Sequence, residues 1–99
     1  PIEKILIYSE DAIAKKLAEI APPKVKVHLV SRDTKEFNKA LVLLKKREVD
    51  VAIILGNGDR AYLLKRAAAD YNTPLVLHKE TAKVLLTSLK FCKLYQLED

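Results

Sequence analysis

The chain has 99 residues, 49% of them apolar and 31% charged. That balance excludes a disordered tract and supplies enough apolar mass for one core, so 1–99 reads as a single domain. Lys and Arg outnumber Asp and Glu by 18 to 13, a net charge of +5 that favours nucleic acid or an acidic protein as partner.

The single Cys92 excludes an internal disulfide, and with two distant His it forms no zinc pattern. Apolar runs are broken by Lys or Glu before the roughly 18 residues that a membrane span requires. The opening "PIEKILIYSE" lacks the order of a signal peptide, so a reducing cytoplasm is the expected location. Absent Met and Trp with abundant Lys and Glu lean towards a thermophilic source. The thermolabile Asn57-Gly58 pair leans the other way.

In chain order, "IEKILIY" (2–8) predicts a strand. "SEDAIAKKLAEIA" (9–21) predicts a helix with Ile13, Leu17, Ile20 and Ala21 on one stripe. Ser9 is its expected N-cap, Glu10 and Asp11 suit its first turn, and Pro22-Pro23 ends it. "KVKVHLV" (24–30) alternates, with Val25, Val27 and Leu29 on one face and Lys26, His28 and Val30 on the other. One partly wet face places this strand at a sheet edge, with His28 on the exposed side.

The helix over 33–49 opens with Asp33 three residues before Glu36, a capping-box spacing. Phe37, Ala40, Leu41 and Leu44 form its buried stripe. Its end, "LKKRE" (44–48), is the densest basic cluster, and cations there complement the helix dipole. "VAIIL" (51–55) is apolar throughout, as a strand buried on both faces is. After "GNGD" (56–59) comes a helix with Leu64, Ala67, Ala68 and Tyr71 inward and Lys65, Arg66 and Asp70 outward. "NTP" (72–74) is a turn and "LVLH" (75–78) a fourth strand. The last helix, 81–96, has Thr81 as a possible cap. Its apolar residues Val84, Leu85, Leu86, Leu89, Phe91, Cys92, Leu94, Tyr95 and Leu97 exceed one stripe. That surplus predicts a homodimer through this helix.

Strand-helix alternation predicts an α/β fold with a four-stranded, mainly parallel sheet and helices on both faces. The order 2-1-3-4 makes it flavodoxin-like or Rossmann-like, one strand short. The topological switch then falls between strands 1 and 3. Tyr8, Ser9 and Glu10 stand there beside Gly56, Asn57, Gly58 and Asp59. Ser9, Gly56, Asn57, Gly58, Asp59 and Arg60 are therefore the candidate ligand-binding residues.

Three readings of "GNGD" stay open. In one, Gly56 and Gly58 permit positive φ and Asp59 caps the helix. In the second, backbone N–H groups cradle an anion, although neither GK[ST] nor GxGxxG is present. In the third, Asp59 joins Glu10 or Asp11 to hold a divalent metal for phosphoryl chemistry. His28 and His78 are possible general acids or bases, or simply packed, since neither has a motif partner. Cys92 reads as a small buried hydrophobe.

From Lys4 to Thr81 the pattern resembles a response-regulator receiver domain. "KILIYSEDAIAKKLAEI" matches the family's first strand and helix, and "VDVAIILGNGDRAYLLKRAAADYNTPLVLH" its third strand through its fourth. The family's paired acids fall near Ser9 and Glu10, so one is missing. Its phosphoacceptor position falls at Leu55 or Gly56, its Thr/Ser near His78 or Lys79, and the fifth strand with its Lys is absent. The resemblance therefore implies the fold without phosphate acceptance. "NGDRA" is similar to the acidic turn of Toprim domains, with Asn57 replacing the first Asp and Tyr62 the following Gly. The element order also resembles small PIN-like nucleases; their strand-1 Asp falls at Tyr8, while Glu36 and Asp59 stand near other family acids.

The expected function is a non-enzymatic interaction module, self-associating and basic, that needs no cofactor. The alternative is a nucleic-acid phosphoryl-transfer enzyme, PIN-like or Toprim-like. It would use Mg²⁺ and Glu10, Asp11, Glu36 and Asp59 as candidate catalytic acids.

Overall fold

The computed structural model describes the backbone of residues 2–31 and 33–98 and the side chains of 2–31 and 33–91. Strands and helices alternate: β1 (Lys4–Tyr8), α1 (Ile13–Ile20), β2 (Lys26–Val30), α2 (Thr34–Lys45), β3 (Val51–Ile54), α3 (Asp59–Asp70), β4 (Leu75–Val76) and α4 (Lys79–Glu98). The four strands form one parallel sheet in the order β2-β1-β3-β4. This is the flavodoxin-like order with one strand fewer. The contrast between "VAIIL" and "KVKVHLV" is what sets it. All four residues of β3 are buried, and β2 is paired on one side only.

Two apolar layers sandwich the sheet. Leu6, Tyr8, Val30, Ala52 and Ile54 meet Phe37, Ala40 and Leu44 of α2 and Ala61, Leu64 and Ala68 of α3. On the other face Ile5, Ile7, Val51 and Ile53 meet Ala14 and Leu17 of α1 and Ala82 and Leu86 of α4. The alternation of Ile5, Leu6, Ile7 and Tyr8 between the two layers is the period of two expected of a central strand.

Several local expectations are corrected. The first helix starts at Ile13, so Ser9, Glu10 and Asp11 precede it. Ser9 Oγ donates to the Asp11 carbonyl at 2.8 Å and accepts from Ala14 N at 3.2 Å, while Asp11 Oδ1 accepts from Ile13 N at 3.0 Å. These side chains build a turn that competes with helix until its first donors are satisfied. The second strand starts at Lys26, because Val25 N closes a turn onto the Pro22 carbonyl at 3.0 Å. Its Lys26, His28 and Val30 share the face of Lys4, Leu6 and Tyr8, so His28 lies under α2 and not on the wet side. Leu29, on the opposite face, is 39% exposed. Only half of the capping box forms: Asp33 Oδ1 accepts from Lys35 N at 3.0 Å, while Glu36 turns towards His28. The last helix starts at Lys79, with Ala82 N on the His78 carbonyl at 3.0 Å, so Thr81 stands inside the first turn.

Helices α2 and α3 end alike. Arg47 (φ 57°) and Asn72 (φ 59°) are left-handed. Glu48 N reaches the Leu43 carbonyl at 3.0 Å and Thr73 N the Ala68 carbonyl at 2.8 Å. This closure satisfies otherwise orphaned carbonyls. Asn suits the conformation; Arg tolerates it at a cost.

Candidate functional site

The strand order puts the C-terminal ends of β1 and β3 side by side, with their loops diverging to α1 and α3. Leu55 N donates to the Tyr8 carbonyl at 2.9 Å, so pairing continues to the last residue before the turn. Gly56 then takes φ +117°, a conformation that any side chain would strain. Gly58 is extended, at φ −75° and ψ 176°, and is itself the N-cap of α3.

Glu10 lies where a side chain on Gly58 would begin. Its carboxylate crosses from the β1–α1 loop, and Oε1 accepts a hydrogen bond from Gly58 N at 3.1 Å. A Cβ on Gly58 would stand 2.7 Å from that oxygen, and one on Gly56 2.9 Å. Lys65, two turns along α3, donates to the Gly56 carbonyl at 2.8 Å. The turn is held from both sides by the chain's own charges.

Asp59 makes no capping bond through its side chain; it is the exposed first residue of α3. The expectation that it caps this helix is therefore wrong. The acceptor comes instead from Glu10, which sits near the positive end of the helix dipole. Arg60 Nη2 donates to Thr34 Oγ1 at 3.3 Å, and the guanidinium lies 5.2 Å from the Phe37 ring centre. It ties α3 to the start of α2. Ser9 is buried within its own turn. Asn57 is exposed at the tip.

Three shallow depressions surround Glu10. The largest, about 440 Å³, runs between the two loops past Leu77, His78 and Lys79. A second, about 340 Å³, is lined by Tyr8, Gly58, Asp59 and Arg60. A third, about 330 Å³, lies towards Leu29 and Ser31 on the β2 side. The four candidate acids do not gather. Glu10 faces the turn, Asp11 binds the start of α1, and Glu36 is 3.7 Å from His28 Nε2. Among the described residues no three of His, Cys, Asp and Glu are placed to hold a metal ion. His78 is exposed at the rim, and the side chain of Cys92 lies outside the described residues.

One carboxylate with a clear structural task was not foreseen. Asp50 Oδ2 accepts from Glu3 N at 2.8 Å and from Lys4 N at 2.9 Å, fastening the start of β1 to the start of β3. Those two bonds, Glu3 first, hold its pKa below the ordinary 3.8.

No protein-family model, curated protein or solved structure matches the chain. No helix among the described residues is long and apolar enough to cross a membrane.

Proposed function

We propose that this chain is a non-enzymatic interaction module: a homodimer formed through α4, with a basic surface that meets nucleic acid or an acidic protein. The observation that carries this reading is the outward face of α4. Ala82 and Leu86 are fully buried against the sheet, yet Val84 is 67% and Phe91 54% exposed, seven residues apart on one side. The helix has 20 residues, about 30 Å by helical rise, whereas the longest strands have five, about 17 Å. The sheet is too short to cover it. Burying two such side chains contributes about 3 to 6 kcal/mol before the cost of association. A second copy offers the same face, as two-fold symmetry requires.

The geometry of the Gly56–Gly58 turn supports the non-enzymatic part. One of its donors, Gly58 N, is already occupied by Glu10. A receiver-like strand order without its acids fits a module that has the architecture and not the chemistry. The single cysteine suits a cytoplasmic setting.

The competing reading is a Mg²⁺-dependent phosphoryl-transfer enzyme acting on nucleic acid. In its favour, Glu10, Asp11 and Asp59 line adjoining depressions at the switch between β1 and β3. Against it, Glu10 and Asp11 are engaged by backbone donors. A Mg²⁺ or Mn²⁺ titration with a nuclease assay on wild type and Asp59→Ala separates the two. Metal-dependent cleavage lost in the variant establishes the enzyme; no cleavage at any metal concentration leaves the module.

A further inference from the structure

We propose that the cleft between the N-terminal ends of β1 and β2 and the second half of α2 binds a backbone phosphate of single-stranded nucleic acid. This deepens the reading of a basic interaction module and rests on it. It places the contact at the edge of the sheet opposite the Gly56–Gly58 turn.

The cleft holds about 200 Å³ and is lined by Lys4, Lys26, His28, Lys39, Leu43 and Glu48 among others. Lys4 and Lys26 are register partners on neighbouring parallel strands and share the face that α2 covers. Lys39 approaches from α2. Among the described residues, no carboxylate comes within ion-pair distance of any of these three ammonium groups. Asp50 attracts Lys4 electrostatically without forming an ion pair with it, and its Oδ2 accepts from two backbone donors. Placing like charges side by side in a sheet is unfavourable, and a bound anion between them reverses the sign. Three lysines against Glu48 leave the wall net positive. The "LKKRE" stretch continues the positive charge, because Lys45, Lys46 and Arg47 are exposed where α2 ends beside Glu48.

Size and chemistry select the ligand. The cleft is smaller than the roughly 300–1,000 Å³ of a small-molecule site, and it has room for one compact anion. Its cations are lysines, which bind phosphate as point charges. Among the lining residues the one aromatic ring is His28, half-buried under α2, so lysines and not a stacking platform carry the contact. The contact is therefore to backbone and indifferent to sequence.

The test is fluorescence anisotropy with a labelled single-stranded 20-mer of mixed sequence, titrated at several salt concentrations. The variants are Lys26→Gln/Lys39→Gln, and Lys15→Gln/Lys16→Gln on α1 as the charge-matched control. All four side chains are exposed, so both variants should keep the wild-type circular dichroism. Each phosphate contact contributes about 0.7 to the salt slope for a single strand, so losing the one phosphate held in the cleft lowers it by about 0.7. Over the decade from 1 M to 0.1 M salt that makes the cleft variant roughly fivefold weaker at 0.1 M. The control should stay within about twofold on this argument, and a second 20-mer of unrelated sequence should lose as much as the first. Equal losses in cleft and control variants would overturn the assignment and leave only diffuse charge. A cleft variant that binds like wild type would overturn it while sparing the basic module. Binding to polyglutamate but not to the 20-mer would overturn the nucleic-acid ligand and leave an acidic protein. Binding to neither would remove the basic-surface reading itself, whatever the oligomeric state proves to be.

Discussion

The contact between Glu10 and Gly58 makes a prediction that a double-mutant cycle can read. Gly58 has backbone angles open to alanine, so Gly58→Ala costs the lower N-cap preference of Ala and the approach of its Cβ to 2.7 Å from Glu10 Oε1. Glu10 is exposed and its side chain can swing away, so the cost of that approach is bounded by the hydrogen bond at 3.1 Å that is lost. For an exposed bond to a charged acceptor that is about 1 kcal/mol. Replacing Gly by Ala also returns about 0.5 kcal/mol by restricting the unfolded chain. Gly58→Ala should therefore cost about 1 kcal/mol more stability in wild type than in Glu10→Ala, the N-cap and unfolded-chain contributions being common to both backgrounds. Urea midpoints of the four proteins, at constant slope, measure both values. The coupling of about 1 kcal/mol lies outside the additivity expected of independent sites. Additive effects would refute the staple. Gly56→Ala is the internal contrast: with φ at +117° it should destabilise in both backgrounds.

Other perturbations follow from the same geometry. Asp59→Ala should change stability by less than about 0.5 kcal/mol, because no cap is lost; a drop nearer 1 kcal/mol in the denaturant midpoint would restore the cap. Arg47→Gly should stabilise by about 0.5 to 1 kcal/mol through relief of the left-handed conformation, and a lower melting temperature would contradict that. Asp50→Ala should cost about 1 kcal/mol at neutral pH, read by denaturation. Because the folded pKa of Asp50 is lowered, its contribution is complete above the unfolded value and fades as pH falls through the folded one. The gap between wild type and variant should thus be full near pH 7 and close well below pH 3.8, where a gap that persisted would mean packing and not charge.

Architecture was legible because it is written in local periodicity. The contrast between the apolar "VAIIL" and the alternating "KVKVHLV" marked the centre and the edge of the sheet. The turn was legible only in part. Its position followed from the strand order, and Gly56 does need its positive φ. The acceptor for the α3 terminus was misread, because Asp59 stands where a local cap would. The true acceptor, Glu10, is 48 residues away, and no spacing rule connects them. The same distance hid the clasp of Asp50 on the start of β1, a separation of 46 to 47 residues. His28 was assigned to the wet face because charge alternation marks a strand's two sides without saying which side a helix will cover. The start of α1 was placed early because Ser9 and Asp11 are good caps as residue types, and here both stabilise the turn before the helix.

Sedimentation equilibrium at tens of micromolar tests the central claim most directly, with wild type beside Phe91→Asp. The account predicts a dimer of twice the 11.2 kDa chain for wild type and the single-chain mass for the variant, with unchanged helix content. A wild type that sediments at 11.2 kDa across that range would contradict it, because Val84 and Phe91 would then lie open on a stable monomer.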